Sequence, residues 1–305
     1  MLKLDEKVKV LTPTQLDEHH FGSEWRFLTN SLHQVFHINK IEGIAEKIKF
    51  PLSPHRKTVF DFLLLTNGNS LRSKGLHEYN IEKNNFFFLP AYQISTHEYM
   101  STDATGYFCH FDQDIFNELY PNLNLAVSFD FWQFNSDPLV EIKEEFMPII
   151  INILNRLIHL YENQNNLNQA LLSSYLIVLF TELKSLTKNE VKNTKNASQR
   201  ITAQYKNLLS QFIYKTNRVA DYANMLSVSP DHLNKCVKAT TGRTSQELLF
   251  DMILLEAKVL LKQTSLSISE IAFKFSESNP SDFSRFFKGK VNKTPKEYRQ
   301  LTDIA

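Results

Sequence analysis

Between Val219 and Tyr298 the chain repeats itself. Val219, Tyr222, Ala223, Leu226 and Ser227 recur in kind as Ile268, Ile271, Ala272, Phe275 and Ser276, at an offset of 49 residues. One extra residue enters the turn. Leu233, Lys235, Val237, Lys238, Thr244, Glu247 and Leu248 then recur as Phe283, Arg285, Phe287, Lys288, Thr294, Glu297 and Tyr298, at an offset of 50. Two copies are too few for a solenoid, so one supersecondary unit is used twice.

Each copy reads as helix, turn, helix. Val219, Tyr222, Ala223 and Leu226 take the i, i+3, i+4, i+7 positions of one helix face. Ser227-Val228 supplies the turn. Ser229 can accept a free backbone N–H as N-cap, and Pro230 suits the first helical position because it has no N–H to leave unpaired. The second copy repeats this grammar with the capping box Ser267-Ile-Ser-Glu270 and with Asn279-Pro280. Ala223 and Ala272 stand where two helices must cross closely. At about 100° per residue, Leu233 and Val237 mark the buried side of one second helix, and Phe283 and Phe287 that of the other. Lys235 and Arg285 then point away from the core. Asp231 and Lys238 lie beside Lys235 with His232 at the flank; Ser281 and Lys288 lie beside Arg285 with Asp282 at the flank. This is helix-turn-helix geometry, whose second helix can enter a DNA major groove. A cation at the shared outward position can meet phosphate oxygens or the O6/N7 edge of guanine.

The stretch from about Gln204 to Arg299, about a third of the chain, resembles the DNA-binding domain of the AraC/XylS family of bacterial transcription regulators. The matching pieces are Val228-Ser-Pro-Asp-His-Leu-Asn-Lys235, Thr240-Thr-Gly-Arg-Thr244, Ala257-Lys-Val-Leu-Leu261, Ile268-Ser-Glu-Ile-Ala272, Asp282-Phe-Ser-Arg-Phe-Phe-Lys288 and Thr294-Pro-Lys-Glu-Tyr-Arg299. The resemblance implies that both units of one monomer read adjacent major grooves of a promoter or operator, joined by a helix. It departs from the family pattern at Ser276-Glu277, usually Gly-Phe, and at Asn292, usually Gly. Ser245 stands for a usual Pro, and Ile253 for a usual Arg.

The net charge of +1 hides an asymmetry. Residues 200–305 hold 16 Lys and Arg against 10 Asp and Glu, while residues 1–199 hold 18 against 23. A basic last third on an acidic body is the footprint expected when that third alone meets nucleic acid. Two cysteines, Cys109 and Cys236, argue against a disulfide framework. Neither a signal-peptide core nor a run approaching the ~20 apolar residues of a membrane span is present, so the expected location is cytoplasmic and nucleoid-associated.

The remainder predicts strands, then helices. Glu24–Leu28 and Gln34–Ile38 have strand composition; Thr58–Thr66 is a buried-strand run closed by Asn67-Gly68-Asn69; a further strand runs to Pro90. Gly106–Asp112 alternates Tyr107, Cys109 and Phe111 against Phe108 and His110, the pattern of a half-buried strand. Such short strands suggest a small barrel or sandwich, and the family resemblance implies a cupin-like barrel holding a small effector. Phe60, Phe62, Phe88 and Tyr107 are the expected pocket aromatics. His55, His77, His97 and His110 raise the alternative of a metal-dependent cupin enzyme with a helical appendage. They stand singly rather than as a His-x-His cluster, so no metal, cofactor or catalytic residue is assigned. Glu145–Tyr161 and Asn168–Lys184 are two amphipathic helices with more apolar surface than a small barrel consumes, which points to a homodimer.

The expected fold is therefore α+β. Residues 1–186 form an effector-binding and dimerisation domain, with a cupin-like β-barrel at 20–140 and helices at 141–186. A polar linker, 187–199, leads to an all-α domain, 200–305, whose first helix is Ala203–Tyr214 and whose helix-turn-helix units occupy 217–241 and 267–289. The implied function is a sequence-specific, effector-controlled transcription regulator rather than an enzyme, with RNA polymerase as a further partner. An effector-independent regulator is the second alternative.

Overall fold

The Phe-rich run that follows Thr58 becomes the middle of a sheet. The computed structural model describes residues 9–21, 32–42, 44–134, 136–163, 168–186, 197–275 and 279–300. The chain divides into two units, one spanning Val10–Lys192 and one containing Asn193–Ala305.

The first unit begins with β1 (Lys9–Leu11), α1 (Pro13–Phe21), β2 (Phe36–Lys40) and β3 (Leu52–Lys57). There follow β4 (Phe60–Asn67), β5 (Ser70–Lys74), β6 (His77–Ile81), β7 (Asn85–Leu89), β8 (Ser95–Met100) and β9 (Thr105–Phe111). After α2 (Leu125–Ser128) and β10 (Leu139–Glu141) come the long helices α3 (Met147–Glu162) and α4 (Gln169–Leu186). The strands form two five-stranded sheets, ordered β1-β3-β8-β5-β6 and β10-β7-β4-β9-β2. This is the cupin-like layer expected, followed by its two helices.

Asn67-Gly68-Asn69 makes a turn, but it carries the chain from one sheet to the other rather than closing a hairpin within one. Gly68 has φ 78°, and a Cβ there would lie 2.7 Å from the Ala104 Cα, so both the backbone angle and the space demand glycine. The expected strand at Glu24–Leu28 lies outside the described residues. The expectation for Gly106–Asp112 is corrected: β9 is buried on both faces. It pairs with β4 on one side and β2 on the other, and its sheet is covered by helices on one face and by the second sheet on the other.

Strand alternation divides the apolar residues between those two faces. Phe60, Phe62, Phe88 and Tyr107 point to the helix side, into a core shared with Leu154 and Leu157 of α3 and Leu176 and Phe180 of α4. Leu63, Leu65, Phe87 and Leu89 point the other way, toward the second sheet. The four aromatics expected to line an effector pocket are thus packed under helices. Phe180 anchors that side, with ring centroids 5.5 Å from Trp132, 5.8 Å from Phe111 and 5.5 Å from Phe129. Not all of the helical surface is used: Ile149 is 48 % and Val178 45 % exposed.

The second unit is helical: α5 (Ala197–Phe212), α6 (Val219–Met225), α7 (Pro230–Thr241), α8 (Ser245–Gln263), α9 (Ile268–Lys274), α10 (Pro280–Val291) and α11 (Pro295–Gln300). The sequence offsets reappear as structure, since α6 and α9 have the same length, as do α7 and α10. α5 starts six residues before the expected Ala203, within the stretch expected as a linker; of that stretch, residues 187–196 lie outside the described residues. The early start is held in part by Thr202, whose buried hydroxyl donates to the Ser198 carbonyl at 2.8 Å.

Removing the Phe180 ring should cost about 3–5 kcal/mol, the usual range for truncating a large buried aromatic. Phe180→Ala is expected to lower the denaturation midpoint of the Val10–Lys192 unit and to leave that of the helical unit in place. Two-transition urea melts check this.

Candidate nucleic-acid interface

Two short helices, each carrying a buried alanine, set the angle at which the two longer ones leave the helical core. Ala223 and Ala272 are fully buried, next to Tyr222 and Ile271. After α6 the chain turns through Ser227, at φ 55°. The Val228 N–H donates back to the Ala223 carbonyl at 3.0 Å and the Ser227 N–H to Asn224 at 2.9 Å, so the last carbonyls of α6 are not left bare. The matching turn of the second unit, residues 276–278 with Glu277, lies outside the described residues.

The caps are built as the sequence predicts. The Ser229 hydroxyl accepts the His232 N–H at 3.1 Å, and the Asn279 side chain accepts the Ser281 N–H at 2.9 Å. Both Thr244/Glu247 and Ser267/Glu270 form complete capping boxes. At the far ends, α7 stops at Gly242 (φ 72°) and α10 at Asn292 (φ 58°), both left-handed. Asn292 replaces a glycine because asparagine tolerates this conformation better than other side chains.

These ends fix which way the second helices face. Leu233, Cys236 and Val237 are buried in α7, and Phe283 and Phe287 in α10. Asp231, His232, Lys235 and Lys238 are exposed on α7; Ser281, Asp282, Arg285 and Lys288 are exposed on α10. The structure therefore leaves all eight expected contact residues in solvent, four on each second helix. Arg285 is 81 % exposed and lies 3.4 Å from the Asp282 carboxylate, one turn earlier. Such a pair is worth little in water, so it orients the guanidinium without locking it away from another acceptor.

Other contributors were not evident from the repeat. Lys290 and Lys293 extend the exposed basic surface past the end of α10; the run Lys288-Gly-Lys-Val-Asn-Lys293 signals them. Asn234, one residue before Lys235, accepts both the backbone N–H (3.1 Å) and the hydroxyl (3.3 Å) of Ser245, tying α7 to the start of α8. The Tyr205 hydroxyl donates to the Ser245 carbonyl at 2.9 Å. Serine rather than proline here supplies the donors that this bracket uses. Ile253, where an arginine is usual, is buried. Arg299 donates from Nε to the Leu261 carbonyl at 3.2 Å and from its terminal nitrogen to Leu266, placing a cation at the C-terminal end of α8, where the helix dipole favours it.

A helix-turn-helix domain model matches residues 222–301, the span just described. The C-terminal unit contains a helix-turn-helix domain. The chain is also similar to the HTH-type transcriptional activator RhaS of Escherichia coli (strain K12 / DH10B), 26% identical over 156 residues, 50% of this chain and 56% of RhaS. It thus spans about half the length of the curated relatives it matches. Among solved structures, the C-terminal domain of AraT, a response regulator from Geobacillus stearothermophilus, is 25% identical over 34% of this chain and 90% of its own, with a TM-score of 0.31. ToxT from Vibrio cholerae is 17% identical over 87% of this chain and 98% of its own, with a TM-score of 0.38. No helix among the described residues is long and apolar enough to cross a membrane.

Apart from the helix-turn-helix domain, the first unit contains a cavity between its two sheets. Its empty volume is about 580 Å³, counting the part open to solvent. Leu63, Met100 and Phe108 wall it, Ile44 stands among the lining residues, and Lys57 and Arg72 supply the charge. None of Phe60, Phe62, Phe88 and Tyr107 lines it, because each sits on the other face of the strand that carries it. Asp61, fully buried, accepts from Lys57 at 2.9 Å and from Arg72 at 3.2 Å. Burial pushes the Lys57 ammonium down to about 8, with Arg72 adding to the shift and Asp61 opposing it. The only sequence signal for this site is an acid, Asp61, set between Phe60 and Phe62 in an otherwise apolar strand.

Histidines that stand singly in the sequence come together here. The His19 and His55 rings lie 4.8 Å apart; His33, His37 and His110 lie within 5.5 Å of one another. Among the described residues, no three His, Cys, Asp or Glu side chains gather as metal ligands. Of the four histidines considered for a metal, His55, His97 and His110 are buried and His77 is exposed.

Burial, first among the causes, holds His20, His55, His97 and His110 well below the usual imidazole range and brings His37 to about 3. Each folded value lies below the unfolded one, near 6.5. The unfolded chain therefore takes up protons first as pH falls, and stability present above pH 6.5 is lost below it. For His37 alone the loss at pH 5 is on the order of 2 kcal/mol. Residues 193–305 hold one histidine, His232. Calorimetry between pH 7.5 and 5 should show the Val10–Lys192 transition moving to lower temperature while that of the helical unit stays nearly fixed.

Proposed function

We propose that this protein is a sequence-specific DNA-binding transcription regulator whose first unit senses a small molecule. The observation that carries the reading is the duplication: two equal helices, α7 and α10, bury the same edge and offer a cation at the same outward position. Lys235 and Arg285 are the groove-facing residues, with Asp231, His232, Ser281 and Asp282 beside them as base readers. Lys238 and Lys288 hold phosphates. Two such helices about one duplex turn apart, ~34 Å, let one monomer read successive major grooves.

The work is binding rather than catalysis. The apolar residues Ile149 and Val178, left exposed on α3 and α4, support pairing with a second copy. A bound effector acts by favouring one subunit arrangement over another, which requires different affinities for the two. RNA polymerase is the expected downstream partner, and the cytoplasm, at the nucleoid, the expected location.

The test is selection of duplexes from a random library by the full chain, followed by quantitative binding. A selected motif spanning two successive major grooves supports the reading; enrichment no better than random sequence removes it. On a selected duplex, Arg285→Ala should cost about 1–3 kcal/mol and relax preference at one position, as lost base contacts do. Equal losses on every sequence would move Arg285 to the phosphate set. Lys238→Ala should instead reduce the slope of log K against log salt by about one, since one phosphate contact fewer releases one counterion fewer.

A further inference from the structure

The cavity between the sheets holds a charge arrangement that packing alone does not explain. Two cations, Lys57 and Arg72, are 2 % and 3 % exposed and share one carboxylate, Asp61. Buried charges are costly unless paired, and here two cations divide a single direct partner. The Arg72 Nε–H, buried, has no hydrogen-bond partner among the described residues, which leaves a strong donor unspent where such groups are almost always satisfied. Both cations line the cavity. Asp17, the acid on the lining, is engaged by His33 at 2.8 Å. His97, also on the lining, is bonded to the Ser70 hydroxyl at 2.7 Å.

We propose that this cavity binds a small organic monocarboxylate, its head on Arg72 and Lys57 and its apolar body against Leu63, Met100, Phe108 and Ile44. The inference rests on the reading of the first unit as a ligand sensor and names the class of ligand. A carboxylate is acceptor-only, so it can take the spare Nε–H without bringing a donor of its own that needs a partner. Its single negative charge would sit beside two cations that otherwise share one carboxylate partner. A polyol fits poorly. His20, His37 and Asn39 on the lining can pair some of its hydroxyls, but those facing Leu63, Met100, Phe108 and Ile44 would stay unpaired, and each costs free energy. Apolar side chains beside a few polar anchors are the usual make-up of a small-molecule site.

The probes are straight-chain carboxylates of four to ten carbons, their primary amides and a hexose, titrated calorimetrically into the full chain. The expected result is one site per chain for at least one carboxylate, at least tenfold tighter than for its amide, with no hexose binding. Arg72→Gln should shrink the acid-to-amide preference to twofold or less. Because that variant removes a partner of a buried carboxylate and can fail to fold, a second is used: Ile44→Trp, which fills part of the cavity at a half-buried position. It should weaken carboxylate binding at least tenfold with the circular dichroism spectrum unchanged. Amide binding as tight as acid binding, hexose binding in place of acid, no carboxylate bound, or Ile44→Trp without effect would each overturn the inference. Duplex selection on the same preparation separates the two readings. DNA recognition without carboxylate binding sinks this site alone, and carboxylate binding without DNA recognition sinks only the regulator.

Discussion

Burial of one apolar edge on each second helix orients everything the C-terminal unit offers to a partner. Leu233 and Val237 in α7, and Phe283 and Phe287 in α10, sit one turn apart and are driven out of water together. With those positions inside, a helix of 3.6 residues per turn leaves Lys235 and Arg285 no choice but to face out. The caps decide where each helix begins and ends, and Ala223 and Ala272 let the shorter helices approach. None of these contacts involves an exposed cation. They aim the side chains proposed to meet DNA.

The first unit follows a different rule. Its central sheet is covered on both faces, so the period-two alternation that usually separates core from solvent here separates two interiors. The helix-side interior is aromatic and closely packed around Phe180. The interior between the sheets is mixed: Leu65, Phe87 and Leu89 at one part, and at another a cavity lined by Leu63, Lys57 and Arg72, the two cations meeting on Asp61. A fully packed core tolerates ion groups poorly, and their retention beside an open volume is what gives that volume a chemical character. Aromatic rings moderate the cost. Lys57 lies 5.5 Å from the Phe108 centroid and Arg72 5.0 Å from that of Phe87.

The helical unit was largely legible in the chain. Caps such as Ser229-Pro230 and Ser267 with Glu270 are local chemistry, and a local signal needs no knowledge of the rest of the molecule. The start of α5, at Ala197 rather than Ala203, is not legible, because the helicity of that polar stretch depends on what its buried Thr202 and Tyr205 touch. In the first unit the strands are legible, but which layer covers each of their faces is not. Phe60, Phe62, Phe88 and Tyr107 were expected around a ligand because aromatics line pockets, yet the same rings suit a helix-covered face equally well. His19, His20 and His55, or His33, His37 and His110, are separated along the chain and meet only through strand pairing and the placement of α1.

By itself the amino-acid order determined the duplicated helix-turn-helix, its caps, its outward cations and the concentration of positive charge in the last third, because each depends on spacings of a few residues. The tertiary structure alone decided which face of the central sheet meets the helices and which meets the cavity. It alone also decided that Lys57, Arg72 and Asp61, drawn from three strands, share one buried site. A strand's alternation states that two faces differ; only the layers packed against them state which is which.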